Sequence, residues 1–403
     1  MSLANNIDFL RRLRNLNALN GLDSYARNLR PDVRSPLVET IGFGSNPGEL
    51  RMFSFVPDNQ QQPPALVVVL HGCGQTAAGY DQGAGWSTLA KRYGFALLMP
   101  QQQSSNNANG CFNWFNPEDT AREHGEAGSI RQMVTRMVGD HKIDSGRIFV
   151  TGISAGGAMT SVMLATYPEV FAAGAVIAGL PFGVARNVRE ALNGMLQSPS
   201  RPPSELGDLV RSASSHKGPW PKISVWHGSA DRTVDPGNAN EIVKQWLDVH
   251  GLPAAVMSEG MVDGYPRQIW WNADGETVVE SYTVTDMAHG TPLGVADSDE
   301  PYGMQGAFLI EAGISSSYHI ASFFGLTEWI GRPDVAPKVA PKQAAEKSLS
   351  VAPSPAPVPD LAETLWPLTT VRRRPEHRQT RGRRVIDVGS VITRALTAAG
   401  LMK

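Results

Sequence analysis

Cysteine is almost missing from this chain, with only Cys73 and Cys111 among 403 residues. Two thiols allow one bridge at most, so the fold is no disulfide scaffold, and free thiols suit the sequence equally well. Long apolar runs are also missing. None reaches the ~18 residues of a membrane-crossing helix, and the nearest, 171–185, is broken by glycines and Pro181. Excess charge of either sign is absent. Lys and Arg number 36 against 38 Asp and Glu, a net −2, which gives no overall case for nucleic acid or a membrane surface. Arg11, Arg12 and Arg14 are not followed by an apolar stretch with a small-residue cleavage site. A secretory signal is therefore not expected, which favours a cytoplasmic setting. Hydrophobic residues, in contrast, make up 41% of the chain against 18% charged. That composition suits a globular protein with a sizeable core.

The apolar material falls into a repeating pattern. Residues 65–70, 95–99, 148–150, 173–178 and 223–226 are short apolar runs, as strands buried on both faces should be. Helical segments at 86–93, 126–141, 158–165 and 239–249 alternate with them. Strands alternating with helices predict an α/β fold with a mostly parallel sheet flanked by helices. A hairpin is expected from 37–41 and 50–56, and another from 268–271 and 278–284. Residues 182–221 interrupt the rhythm after the sixth strand and are expected to form a cap-like insertion. Outside this catalytic domain of 36–330, residues 1–35 are expected to form a helical arm. Residues 331–371 read as a Pro/Ala-rich linker, and 372–403 as an Arg-rich basic segment with a short helix. That tail could contact an anionic polymer, whereas nucleic acid is not expected.

The chemistry centres on Gly152, Ser154 and Gly156, which spell G-x-S-x-G between a predicted strand and helix. Such a bend holds its serine in a strained backbone conformation with the hydroxyl exposed. A nucleophilic serine needs a base to take its proton and a carboxylate to orient that base. In sheets of this kind the partners follow in the order acid, then histidine. Asp231, just past the strand at 223–226, and His289, past the strand at 278–284, fit that order. His71 and His227 stand at strand ends before glycines and are expected to be structural. An oxyanion hole needs two backbone N–H groups. Ala155, directly after the serine, and Cys73, in the loop after 65–70, are the candidates. Trp114 and Phe115 form an aromatic patch expected to contact substrate.

The segments LHGCGQ (70–75), GCFNWF (110–115), GEAGSI (125–130), GRIFVTGISAGGAM (146–159), AGLPFG (178–183), WHGSAD (226–231) and MAHGTP (287–292) resemble those of the poly(3-hydroxybutyrate) depolymerase-type esterases. These are α/β-hydrolases related to the feruloyl and acetylxylan esterases of carbohydrate esterase family 1. The resemblance covers roughly residues 35–330. It implies a serine carboxylic-ester hydrolase that needs no metal or organic cofactor, with Ser154, Asp231 and His289 as its triad and Cys73 supplying an oxyanion amide. The substrate expected from it is a poly- or oligo-3-hydroxybutyrate-type ester, with a feruloyl or acetylxylan ester as the alternative. A binding protein acting through the Arg-rich tail is the less favoured reading. The family is commonly extracellular, and its secreted polymer-degrading members carry more cysteines and a compact polymer-binding domain, which the tail does not resemble.

Overall fold

The computed structural model describes residues 35–59, 63–295 and 302–327. The expected linker and basic tail, and all but the end of the expected N-terminal arm, lie outside them.

Within that span the apolar runs pair as one ten-stranded sheet. Its centre is six parallel strands in the spatial order β4 (Ala96–Gln101), β3 (Leu66–Leu70), β5 (Ile148–Ile153), β6 (Ala173–Ile177), β7 (Lys222–Gly228) and β10 (Thr277–Val284). Each side ends in antiparallel strands. Beyond β4 lie β2 (Arg51–Phe55) and β1 (Val38–Thr40), and beyond β10 lie β9 (Tyr265–Trp271) and β8 (Ser258–Val262). A small parallel pair, β11 (Thr291–Leu293) and β12 (Leu309–Glu311), stands apart.

Side-chain alternation divides the sheet between two cores. Leu66, Val68 and Leu70 of β3 face one way, with α4 (Gly125–His141), α5 (Ala155–Thr166) and α8 (Gly237–His250). Val67 and Val69 face the other way, with α1 (Ala77–Ala84), α2 (Trp86–Tyr93) and α9 (Ser316–Phe323). Every residue of β3, β5 and β6 is buried, because both faces are covered. At about 1.5–3 kcal/mol for each large apolar side chain removed from water, these strands carry much of the driving force for folding.

The insertion after β6 contains α6 (Val188–Gln197) and α7 (Pro203–Ser212). It is stitched along α8. Gln245 exchanges hydrogen bonds with both backbone groups of Phe182 and donates to the carbonyl of Leu206, and Glu241 accepts from the Arg201 amide. Among the elements with no expectation in the sequence are α1 and β8. The helix α1 is Gly-rich but capped, with the Thr76 hydroxyl accepting from the Gly79 amide. The strand β8 is exposed along most of its length, so no alternation marks it.

Candidate active site

The parallel centre of the sheet sends the loops after β3, β5, β7 and β10 out of one edge. The register fixes this, since Leu70 pairs with Gly152, Ile153 with Ile177, Ile177 with Trp226, and Gly228 with Val284. Cys73, Ser154, Asp231 and His289 follow those four strands within a few residues. This edge of an open α/β sheet is where ligands are bound.

Ser154 sits at the bend between β5 and α5 with φ 56° and ψ −120°, a region that side-chain-bearing residues rarely enter and that costs on the order of 1–3 kcal/mol. The bend is tight enough to exclude a Cβ at its glycines. One on Gly152 would lie 2.5 Å from the Gly156 carbonyl oxygen, and one on Gly156 would run into the carbonyl oxygens of Leu70 and His71. The conformation is fastened by the Ser154 amide, which donates to the Ile177 carbonyl at 2.9 Å. Ala155 opens α5, where first-turn N–H groups have no helical acceptor and carry partial positive charge.

Asp231 and His289 come together across 58 residues. His289 Nδ1 lies 2.7 Å from Asp231 Oδ2. The other carboxylate oxygen accepts the amides of Thr233 at 2.8 Å and Val234 at 3.0 Å. Burial alone would raise the Asp231 carboxyl. Hydrogen bonds from His227 and His289, the His289 charge and the Val234 amide reverse this and hold it below the usual carboxylate range. With Nδ1 donating to the carboxylate, His289 keeps Nε2 for a proton from elsewhere. Its ring rests edge-on against Phe308, centroids 5.7 Å apart. The Ser154 hydroxyl makes no hydrogen bond among the described residues. The carboxylate–imidazole contact is therefore formed and the imidazole–serine contact is not, a looseness common in ligand-free sites.

In the loop after β3, the Gly72 amide donates to Gln75 Oε1, Gly74 to the Asn109 carbonyl, and Gln75 to the Gly72 carbonyl. The Cys73 amide has no such partner among the described residues. The Cys73 side chain is bonded to Cys111, settling which of the two thiol states open to the sequence is adopted. His71 anchors the loop from below. Its Nε2 accepts the Gln102 amide at 3.1 Å, so Nδ1 carries the hydrogen and donates to the Gly72 carbonyl at 2.8 Å. Complete burial pushes this imidazole down to about 4, so it stays neutral.

Sequence reasoning missed Glu126. It opens the helix expected at 126–141 and is fully buried. It accepts from Gln102 Nε2 at 2.5 Å, Asn113 N at 2.8 Å and Asn113 Nδ2 at 2.7 Å. Gln102 also donates to the Cys111 carbonyl at 3.0 Å. Burial, then the neighbouring Asp119 charge, push Glu126 up to about 8. The only sequence signal was its company with Gln102 and Asn113 in polar loop stretches.

The two aromatics part ways. Trp114 is 8% exposed and packs in the core beside α4 and α5. Phe115, edge-on to it with centroids 5.5 Å apart, lines an open cavity of about 480 Å³. Opposite it are Arg186, Asn187 and Val188, the entry to the insertion.

Comparison with known proteins settles the family. The family described as esterase PHB depolymerase matches residues 54–261. Poly(3-hydroxyalkanoate) depolymerase C of Paucimonas lemoignei is 46% identical over 291 residues, 72% of this chain and 70% of that protein. The chain belongs to the PHB depolymerase esterase family. Feruloyl esterase B of Talaromyces stipitatus is 32% identical over 67% of this chain and 76% of its own. Among solved structures, an acetyl xylan esterase from Aspergillus awamori superposes with a TM-score of 0.61 at 26% identity, covering 72% of this chain and 99% of that one. The expected α/β-hydrolase fold is therefore present, and the protein is a carboxylic-ester hydrolase.

Proposed function

We propose that this esterase works through an acyl-enzyme in which Ser154 is the nucleophile, His289 the general base and then general acid, and Asp231 the residue that orients and stabilises the imidazolium. The observation that carries this is the 2.7 Å contact of His289 Nδ1 with Asp231, at the same sheet edge as the strained Ser154 bend. His289 Nε2 takes the Ser154 proton as Oγ attacks the ester carbonyl. The tetrahedral oxyanion is met by the amides of Ala155 and Cys73. The latter reading is supported by the Cys73 amide having no partner among the described residues, while those of Gly72, Gly74 and Gln75 beside it are engaged. Each such donor is worth about 2.7–4 kcal/mol in the transition state. His289 then returns the proton to the leaving alcohol, and water, activated by the same imidazole, releases the acid.

The substrate favoured is a 3-hydroxyalkanoate polyester or its oligomers, because the depolymerase relative is 46% identical against 32% for the feruloyl esterase. The second reading is an ester on a plant polysaccharide, supported by the superposition on an acetyl xylan esterase over nearly its whole length. Phe115 and the cavity beside it are proposed to receive part of the substrate, with Trp114 as the buried support behind them.

Ser154→Ala is expected to lower hydrolysis of p-nitrophenyl butyrate by at least 10³-fold with an unchanged melting curve. Undiminished turnover would remove the serine from its role. Hydroxybutyrate oligomers, acetylated xylan and methyl ferulate assayed side by side separate the two substrate readings.

A further inference from the structure

A second imidazole touches the carboxylate of Asp231. His227, the second-to-last residue of β7 and 3% exposed, places Nε2 3.0 Å from the Val234 carbonyl oxygen and 3.2 Å from Asp231 Oδ2. Both neighbours only accept, so Nε2 carries the hydrogen and shares it between them, with the shorter contact to Val234. The other ring nitrogen, Nδ1, is buried with no hydrogen-bond partner. A proton there would be a buried donor facing nothing, which is unfavourable. The ring is therefore the neutral Nε2–H tautomer.

We propose that His227 is a positioning residue for the reaction, its Nε2–H pinning the carboxylate of Asp231 and drawing off part of the charge that Oδ2 offers to His289. The assignment rests on the triad reading above. Three of the four donors to this carboxylate come from the end of β7 and the turn after it: the amides of Thr233 and Val234 on Oδ1, and His227 on Oδ2. The fourth is His289. The acid is thus held in place before the base arrives, and His227 links the end of β7 to the far side of the turn through Val234. Other charged groups stay off the carboxylate. Arg232 and Asp286 are exposed, and Asp235 is committed to the Gly237 amide. From the side of β12, the ring of His289 meets the non-titrating Phe308.

The sign of the effect follows. Without the His227 donor, Oδ2 carries more charge and stabilises protonated His289 more strongly. His227→Phe is expected to move the acid limb of the kcat/KM profile for p-nitrophenyl butyrate to higher pH by about half a pH unit, a threefold change in the ionisation constant. It is also expected to lower kcat about tenfold with KM changed less than twofold. His227→Gln, whose amide can donate from a similar place, should recover the limb. An unshifted limb in the Phe variant, alongside an inactive Ser154→Ala, overturns the role of His227 alone. An active Ser154→Ala overturns the triad and this role with it. Should the Phe variant not fold, ¹⁵N NMR of the wild-type enzyme decides. A protonated Nε2 and an unprotonated Nδ1 on His227 at the pH of the assay support the role, and the opposite tautomer overturns it.

Discussion

On one side of Ser154, the loops after β3 and β4 are joined by the Cys73–Cys111 bridge and by the buried Glu126–Gln102 network reaching to His71. On the other side, the loops after β7 and β10 meet through hydrogen bonds to one carboxylate. The first wall presents a backbone amide, whose protonation never changes, and its imidazole is kept neutral by burial. In the mechanism proposed above, the second wall moves a proton in every cycle, so its partners must be able to shift charge. On that proposal, rigid covalent ties suit the wall that would wait for an oxyanion, and adjustable hydrogen bonds suit the wall that would handle the proton.

Breaking each wall should give a different signature. The largest loss is expected on the proton-handling side. Asp231→Asn should lower kcat by about 10⁴-fold, because the imidazole loses its orienting anion. The melting temperature should move little, because the Asn oxygen can still accept the Thr233 and Val234 amides. Steady-state kinetics with thermal denaturation checks both halves. On the oxyanion side the larger cost should be stability. The bridge closes a segment of 38 residues, and Cys111→Ser should cost about 4 kcal/mol in urea denaturation if chain entropy governs. Activity should fall about tenfold as the loop loosens. A Cys111→Ser enzyme with wild-type stability would show that the buried network holds this wall alone.

The change smallest in catalysis tests that network. Glu126, raised from 4.5 to about 8, keeps a proton in the folded protein that the unfolded chain releases above about 4.5. Its stabilisation is complete at acid pH and fades as pH rises towards about 8, with a slope of at most about 1.4 kcal/mol per pH unit. Glu126→Gln should flatten that part of the stability curve, read from denaturant midpoints between pH 5 and 8, while kcat at pH 7 stays within threefold.

The parallel strands and the residues at their ends were legible because strands covered on both faces leave unbroken apolar runs, and chain order then assigns Ser154, Asp231 and His289 to particular loops. Strand β8 was not legible, since a strand exposed along most of its length has no pattern to show. Helix α1 was hidden by Gly79 and Gly83, which dilute any helical signal. The Cys73–Cys111 bridge needed coordinates, because two thiols in a sequence say nothing of their distance. His227 was read as structural from its place before a glycine. Its contact with Asp231 depends on how the turn folds back, which no spacing records. Glu126 was read only as the start of a helix, and its burial depends on the polar side chains of Gln102 and Asn113 closing over it.

The backbone of Ser154 carries a further consequence. Left-handed torsions at that corner are imposed by the surrounding strand, helix and glycines, whatever side chain is present. The amino acid most at ease there would be one without a Cβ. The chain thus keeps, at the corner where the proposed nucleophile stands, a residue that its own architecture tolerates poorly.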